Sequence, residues 1–396
     1  MIAEAGAAPV SVSSLIPSLT GHVHTGAESV DVVPTSLLEA LAAVSDPRSR
    51  RGLRHRFGTI LGVAVCAVLA GARSYAAIAE WAADLPPAVR LRLGVGQRRP
   101  PSESAIRRCL QRVDHDQLDR VASAWLAARA RATGPPEGKR VVAVDGKSAR
   151  GARTGDDRPV HLLAAFDAAT GVVLGQCTVD GKTNEINAFA PLLDRVDLAG
   201  VILTADALHT QVRHVDYLHG RDSHWILTVK ANHPTLLNRL RALPWKQIPV
   251  ADHSHGKGHG HLESRTVKVT GVAAGIGFPH ARQAVQVTRR TRRGTGGRWR
   301  TETVYAVTDL DYDEISPAEL ADAIRAHWGV ENRLHWVRDV TFAEDLSQVR
   351  TGAGPVVMAA LRNLAISVHR LAGVANIAAA SRHVSRHPAR ALRLVA

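Results

Sequence analysis

Cysteine is scarce: the 396 residues hold only Cys66, Cys109 and Cys177, far apart and with no CxxC pair. That excludes a disulfide framework and a cysteine-bound zinc site, and it suits a reducing cytoplasm. Lysine and arginine are missing from residues 1–35, and no long apolar core stands in their place. Both parts of a secretion signal are therefore lacking there, and residues 1–35 read as a mobile N-terminal extension. Long hydrophobic runs are also missing. The longest, Ile60 to Ala72, spans 13 residues, well short of the roughly 20 that cross a bilayer, so it reads as a buried helix and no membrane partner is expected. Acidic residues stop at Asp345, whereas Arg350, Arg362, Arg370, Arg382, Arg386, Arg390 and Arg393 lie beyond it. Residues 373–396 accordingly read as a basic C-terminal tail.

What is abundant is positive charge. Fifty Lys and Arg against 36 Asp and Glu leave a net charge of +14, which favours a polyanionic partner such as nucleic acid. Residues 36–132 carry helical apolar spacing at Leu37, Leu38 and Leu41, along the Ile60 run, and from Leu118 to Leu126. They read as a small all-helical domain. Its joints are basic, with Arg50, Arg51 and Arg54 before one helix and Arg107 and Arg108 within another, placed to meet DNA phosphates. A solvated surface is the plainer account of any one such run.

After the linker Thr133-Gly134-Pro135-Pro136 the period changes. Val141-Val142-Ala143-Val144 is a short β-prone run that ends on Asp145, and Val201-Ile202-Leu203-Thr204-Ala205 is a second that ends on Asp206. Between them, His161–Phe166 and Val172–Thr178 flank a turn, Asp167 to Gly171, as a hairpin would. A helix comes next, from about Asn187 to Leu193, and Trp225–Val229 is a further strand. This order describes an α/β, RNase H-like mixed sheet with helices over residues 138–372, interrupted by a β-rich insertion at about 230–309.

A carboxylate at the end of a buried strand is held rigidly and exposed at the sheet edge, so Asp145 and Asp206 can converge. Two such acids repel unless cations lie between them, and a hard ion with oxygen ligands resolves the conflict: magnesium, Mg2+, with Mn2+ able to substitute. A third carboxylate completes a two-metal site for phosphoryl displacement. Glu331 is the best candidate, because His327, Glu331, His335 and Arg338 are spaced to share one helix face. Asp339, Glu344 and Asp345 rank second. Lys147 and Arg150, in a flexible cationic loop after Asp145, are placed for the substrate, as are Lys182 and Lys230.

At these residues the chain resembles the DDE transposases of bacterial insertion sequences, in the branch that includes the H-repeat-associated proteins. The blocks fall in family order: Asp46-Pro47-Arg48, Pro101-Ser102-Glu103-Ser104, Val144-Asp145-Gly146-Lys147, Lys182-Thr183-Asn184-Glu185-Ile186, Thr204-Ala205-Asp206-Ala207, Val229-Lys230-Ala231-Asn232, and His327-Trp328-Gly329-Val330-Glu331-Asn332 with Leu334-His335-Trp336. The resemblance implies Asp145, Asp206 and Glu331 as catalytic and metal-binding acids. It also implies double-stranded DNA, at element ends and target, as the partner. His233, His261 and Arg338 depart from the family pattern. Joining two ends makes a homodimer on DNA the expectation, and the location expected is the cytoplasm, with the nucleoid. Two rival readings are a catalytically inactive DNA-binding relic and a zinc hydrolase built on His253, His255, His259 and His261 or on His327, Glu331 and His335.

Overall fold

In the computed structural model, residues 36–51, 53–133, 138–153, 159–179, 184–258, 261–272, 275–294 and 297–396 are described. The N-terminal extension, the linker around Pro135, Lys182 and His259 lie outside them. Six helices come first: α1 (Leu37–Ala42), α2 (Phe57–Leu69), α3 (Tyr75–Ala83), α4 (Pro87–Arg92), α5 (Glu103–Leu110) and α6 (His115–Ala132). Side-chain oxygens of Ser36, Ser74, Ser102 and Asp114 accept the otherwise unpaired N–H groups of the first turns of α1, α3, α5 and α6. Helix α2, the long apolar run, is buried along almost its whole length. No described helix is long and apolar enough to cross a membrane.

The sheet and its helices come after: β1 (Val141–Arg153), β2 (Pro159–Asp167), β3 (Val172–Val179), α7 (Glu185–Leu193), β4 (Ile202–Ala205), α8 (Val212–His219), β5 (His224–Val229), α9 (Pro234–Ala242), β6 (Asp252–Gly258), β7 (His261–Gly271), β8 (Gln283–Arg293) and β9 (Arg300–Thr308). Helices α10 (Pro317–Val330), α11 (Trp336–Val340), α12 (Gly354–Leu371), α13 (Ile377–Ser385) and α14 (Ala389–Val395) complete the chain. The strand order is β3-β2-β1-β4-β5-β9-β8-β7-β6. β4 runs parallel to β1 and β5, and the remaining neighbours are antiparallel. This is a mixed α/β, RNase H-like fold. The insertion extends the same sheet, because β9 pairs with the edge of β5 from Ile226↔Thr308 to Val229↔Tyr305 and so occupies backbone groups an edge strand would leave open.

Three expectations need correction. β1 does not stop at Asp145: it runs on beside β2, pairing Gly146↔Leu163, Lys147↔Leu162 and Ser148↔His161, so the expected cationic loop is strand. The C-terminal residues are no loose tail, since Ile377, Ala380 and Val384 of α13 and Ala391, Leu392 and Val395 of α14 are buried at helical spacing. The helices of residues 36–132 have no core of their own either. Leu118, Ala122, Trp125 and Leu126 of α6 join Val173 and Leu174 of β3 and Leu361 and Leu364 of α12 in one apolar cluster.

Candidate active site

Strand alternation places the acids. Val141 of β1, Ile202 of β4 and Ile226 of β5 belong to the apolar cluster beneath α10, with Leu320, Ala321 and Ala323. Stepping by two along each strand from that face leads to Asp145, to Thr204 and Asp206, and to Thr228 and Lys230. The parallel pairing of β1 with β4 ends at Val144↔Ala205. Asp145 therefore sits one residue past it, in a strand still held on its other side by Ala164. Asp206 is the residue after β4 and caps a short 3-10 turn, its Oδ1 accepting from Leu208 N at 2.9 Å. Asp145 Oδ1 likewise accepts from Gly146 N at 2.9 Å.

Helix α10 supplies the opposite wall. It begins with a capping box between Ser316 and Glu319 and runs to Val330. A π-helical turn, Glu331–His335, then joins it to α11. Glu331 Oε2 and Asp145 Oδ2 lie 3.2 and 3.6 Å from His335 Nδ1, and the ligand atoms of the three residues all fall within 4.8 Å of one another. Among the described residues this is the one such grouping of three or more potential metal ligands. Its carboxylate oxygens suit a hard divalent cation, and its imidazole tolerates a softer one. His335 is buried whereas the Glu331 side chain is 60% exposed. The Glu331 carboxyl is held below its usual value chiefly by the hydrogen bond from His335. Burial pushes the Asp145 carboxyl up, and the charge of Asp206 adds to that push against the opposing pull of His335 and His327.

Asp145, Asp206 and Glu331 line one cleft of about 390 Å³, with His327, Trp328, Lys230, Arg265, Arg289 and Arg325. His327 meets Thr204 Oγ1 at 3.2 Å, and burial lowers its pKa. Lys230 is exposed there. Lys147 is half-buried and turned to Asp339, with Nζ 2.6 Å from Oδ2. Arg150 is exposed near the end of β1, where its N–H donates to Asp345 Oδ1 at 3.1 Å. Arg50, Arg51, Arg54, Arg107 and Arg108 are exposed but do not line the cleft; Arg107 is paired with Glu103 at 3.2 Å.

Arg338 is not where the spacing puts it. It is fully buried, and with Arg362 it flanks the buried Glu344 at 2.8 and 2.9 Å. The physical reason is the π turn, whose i→i+5 bonding admits one extra residue and rotates the residues beyond it away from the cleft. The same contacts account for the second-ranked acids: Glu344, Asp339 and Asp345 are engaged by Arg338 with Arg362, by Lys147, and by the Arg150 amide. Of the histidine-rich stretch, His253 and His255 are stacked edge-on upon β6 in a β6–β7 hairpin, not an open loop.

Sequence spacing assigns no role to one acid that the fold brings close to the site. Glu185, at the start of α7, is buried between His161 at 2.5 Å and His209 at 3.4 Å. His161 in turn meets Ser148 Oγ at 2.8 Å. A Cβ on Gly146 would lie 2.5 Å from Glu185 Oε1, so the glycine lets this carboxylate press against the backbone beside Asp145.

Comparison with known proteins agrees with this architecture. Residues 136–368 match the model described as "Transposase DDE domain", and residues 38–126 match "DDE_Tnp_1-associated". "Putative transposase YncI" of Escherichia coli O157:H7 is 28% identical over 352 residues, covering 85% of this chain and 87% of that protein. "H repeat-associated putative transposase YhhI" of Escherichia coli strain K12 is 26% identical over 346 residues, covering 84% and 89%. A cryo-EM structure of the piggyBac transposase synaptic complex with hairpin DNA matches with TM-score 0.42 and 9% identity, covering 90% of this chain and 78% of that one, a likeness too distant to bear on the site. The Transposase DDE domain model, matched across more than half of the sequence, places the chain in the DDE transposase family.

Proposed function

We propose that this protein binds the terminal inverted repeats of its insertion sequence, cuts DNA strands at the element ends and joins the freed 3′ hydroxyls to target DNA. The observation that carries the reading is the convergence of Asp145, Asp206 and Glu331 on one cleft from three separate elements. In this reading Asp145 and Asp206, fixed by β1 and β4, and Glu331, presented by the π turn, hold divalent cations, with Mg2+ as the working ion and Mn2+ able to replace it. Bound there, such ions draw the attacking and leaving oxygens of an in-line displacement together and offset the charge that develops.

The chain's own residues do the positioning. Lys230, Arg265 and Arg289 line the same cleft as the acids and offer charge to a phosphodiester backbone. Exposed Arg150 and the exposed Arg50, Arg51, Arg54, Arg107 and Arg108 of the helical region extend contact along the duplex. That region, residues 36–132, acts as an end-binding part, and residues 138–372 act as the catalytic part. His335 serves the carboxylates, and Arg338 the core, rather than DNA. Two copies on paired ends form the working assembly, in the cytoplasm on nucleoid DNA.

The test is cleavage of a supercoiled plasmid carrying the terminal repeats, with magnesium, with EDTA, and with Asp145→Asn, Asp206→Asn and Glu331→Gln. Each substitution is expected to cost several kcal/mol of barrier stabilisation, at least about a thousandfold in rate, while DNA retention persists. DNA retention without cutting by the unaltered protein would leave a DNA-binding relic. Undiminished cleavage by Glu331→Gln would overturn the assignment of the third acid.

A further inference from the structure

A second cavity, of about 880 Å³, opens on the far side of the segment that carries Glu331. Asn332, Arg333 and Trp336 line it, and its other walls come from the turn after α2, the end of α12 and the face of α13. Four arginines, Arg73, Arg333, Arg370 and Arg382, line it and no acid does. No described carboxylate pairs with any of the four.

Two of these arginines are held against each other. Gly171, with φ 74° in the β2–β3 turn, leaves open the point toward which both converge: a Cβ there would lie 2.5 Å from Arg333 Nη2 and 3.1 Å from Arg370 Cγ. Arg333 donates to Ala168 O, and Arg370 donates to Val374 O at 3.0 Å and Ala375 O at 2.6 Å, so backbone carbonyls fix both in place. Burial lowers the pKa of each, and the charge of Arg333 lowers that of Arg370 further. Arg370 Nε is buried without a hydrogen-bond partner. Ser381, on the cavity wall, is 95% buried and its Oγ also lacks a partner. Like charges fixed side by side and unpaired donors, with no acid among them, leave an anion as the missing component.

We infer that this cavity binds the phosphodiester backbone of the DNA strand that runs past Glu331, with Arg333 and Arg370 at its floor and Arg73 and Arg382 at its rim. The inference rests on the reading that the chain acts on DNA. Its basis within that reading is continuity: Asn332 and Arg333 come directly after Glu331 in the same π turn, so a strand engaged in the cleft has adjacent phosphates within reach of the second cavity.

Salt dependence of DNA binding tests it, because each phosphate contact contributes about 0.9 to the slope of log affinity against log salt. Binding of a labelled terminal-repeat duplex is followed by fluorescence anisotropy in EDTA, using the full chain. Arg73 and Arg382 are exposed, so the Arg73→Gln/Arg382→Gln double variant keeps the fold intact. It should lower the slope by about 1.8, twice the single-contact value. Arg370→Gln should lower it by about 0.9, and Arg393→Gln, on the distant face of α14, should leave it unchanged. Wild-type slope in both the double variant and Arg370→Gln would overturn the inference and leave the proposed function standing. A second arm uses inorganic phosphate alone. If phosphate raises the melting midpoint only when these arginines are present, yet the DNA slope does not move, the cavity is a small-anion site and the inference is wrong. Failure of the unaltered protein to bind any DNA would overturn both.

Discussion

Replacing Glu344 with glutamine separates a structural acid from a catalytic one. Glu344 is buried between Arg338, whose Nη2 lies 2.8 Å from Oε2, and Arg362, whose Nη1 lies 2.9 Å from Oε1. Burial pushes its carboxyl up, and the two guanidinium groups more than offset that, holding it below the usual 4.5. Glu344→Gln keeps the shape, removes the anion and leaves two buried cations unpaired, which costs about 3–5 kcal/mol. For a folded unit of this size the melting midpoint falls by roughly 2 °C per kcal/mol, so the expected drop is about 6–10 °C. Because the folded carboxyl titrates lower than the unfolded one, its contribution is present above pH 4.5 and lost as pH falls through the folded value. The gap between wild type and variant should therefore narrow below pH 4.5. Circular dichroism melts at several pH values measure this, alongside plasmid cleavage well below both midpoints. A lowered midpoint with cleavage retained supports the structural role. Cleavage lost with the midpoint unchanged would refute the reasoning and make Glu344 a rival to Glu331.

Asp119 behaves in the opposite sense: complete burial pushes its carboxyl up to about 7. Its folded form holds a proton that the unfolded chain releases, so stability falls as pH rises from 3.8 towards about 7. Asp119→Asn should raise the melting midpoint at about pH 8, by a free energy on the order of a few kcal/mol, and not at about pH 4; an unchanged midpoint on the alkaline side would show that the site is wetter than the structure places it. Gly146→Ala would set a Cβ 2.5 Å from Glu185 Oε1 and shift the strand beside Asp145. Plasmid cleavage should fall at least tenfold while the duplex is still retained, and full activity would mean that Glu185 moves aside freely. Glu185→Gln should cost about 1.5–3 kcal/mol through the lost charged hydrogen bond to His161. Since its folded carboxyl lies near 2, that loss should be seen by thermal melting above pH 4.5 and should vanish as pH falls towards 2.

The buried strands were legible because their apolar runs are short, unbroken and end on acids; β4 ends at Ala205, one residue before Asp206, as the run predicts. The extent of β1 was not legible. Beyond Val144 its residues are polar or glycine, and what keeps them extended is pairing with β2, a hydrogen-bonding partner that no local pattern discloses. Glu185 was hidden for a related reason. Its neighbours His161 and His209 are 24 residues before and after it, so a cluster assembled by three elements looks in sequence like three isolated residues.

Arg338 shows where spacing arguments fail in principle. Four-, four- and three-residue steps define a face only if the helix keeps one pitch, and the π turn breaks that condition at Glu331–His335. The break serves the site: Glu331 stays exposed at the cleft while His335, four residues on, folds back to within 3.2 Å of it. The residues after the turn are then rotated into the core, where Arg338 meets Glu344. One local change of pitch thus presents an acid to the cleft and ties the segment behind it to the buried triad. A regular α-helix with the same sequence would carry His327, Glu331, His335 and Arg338 along one face and leave Glu344 and Arg362 one partner short.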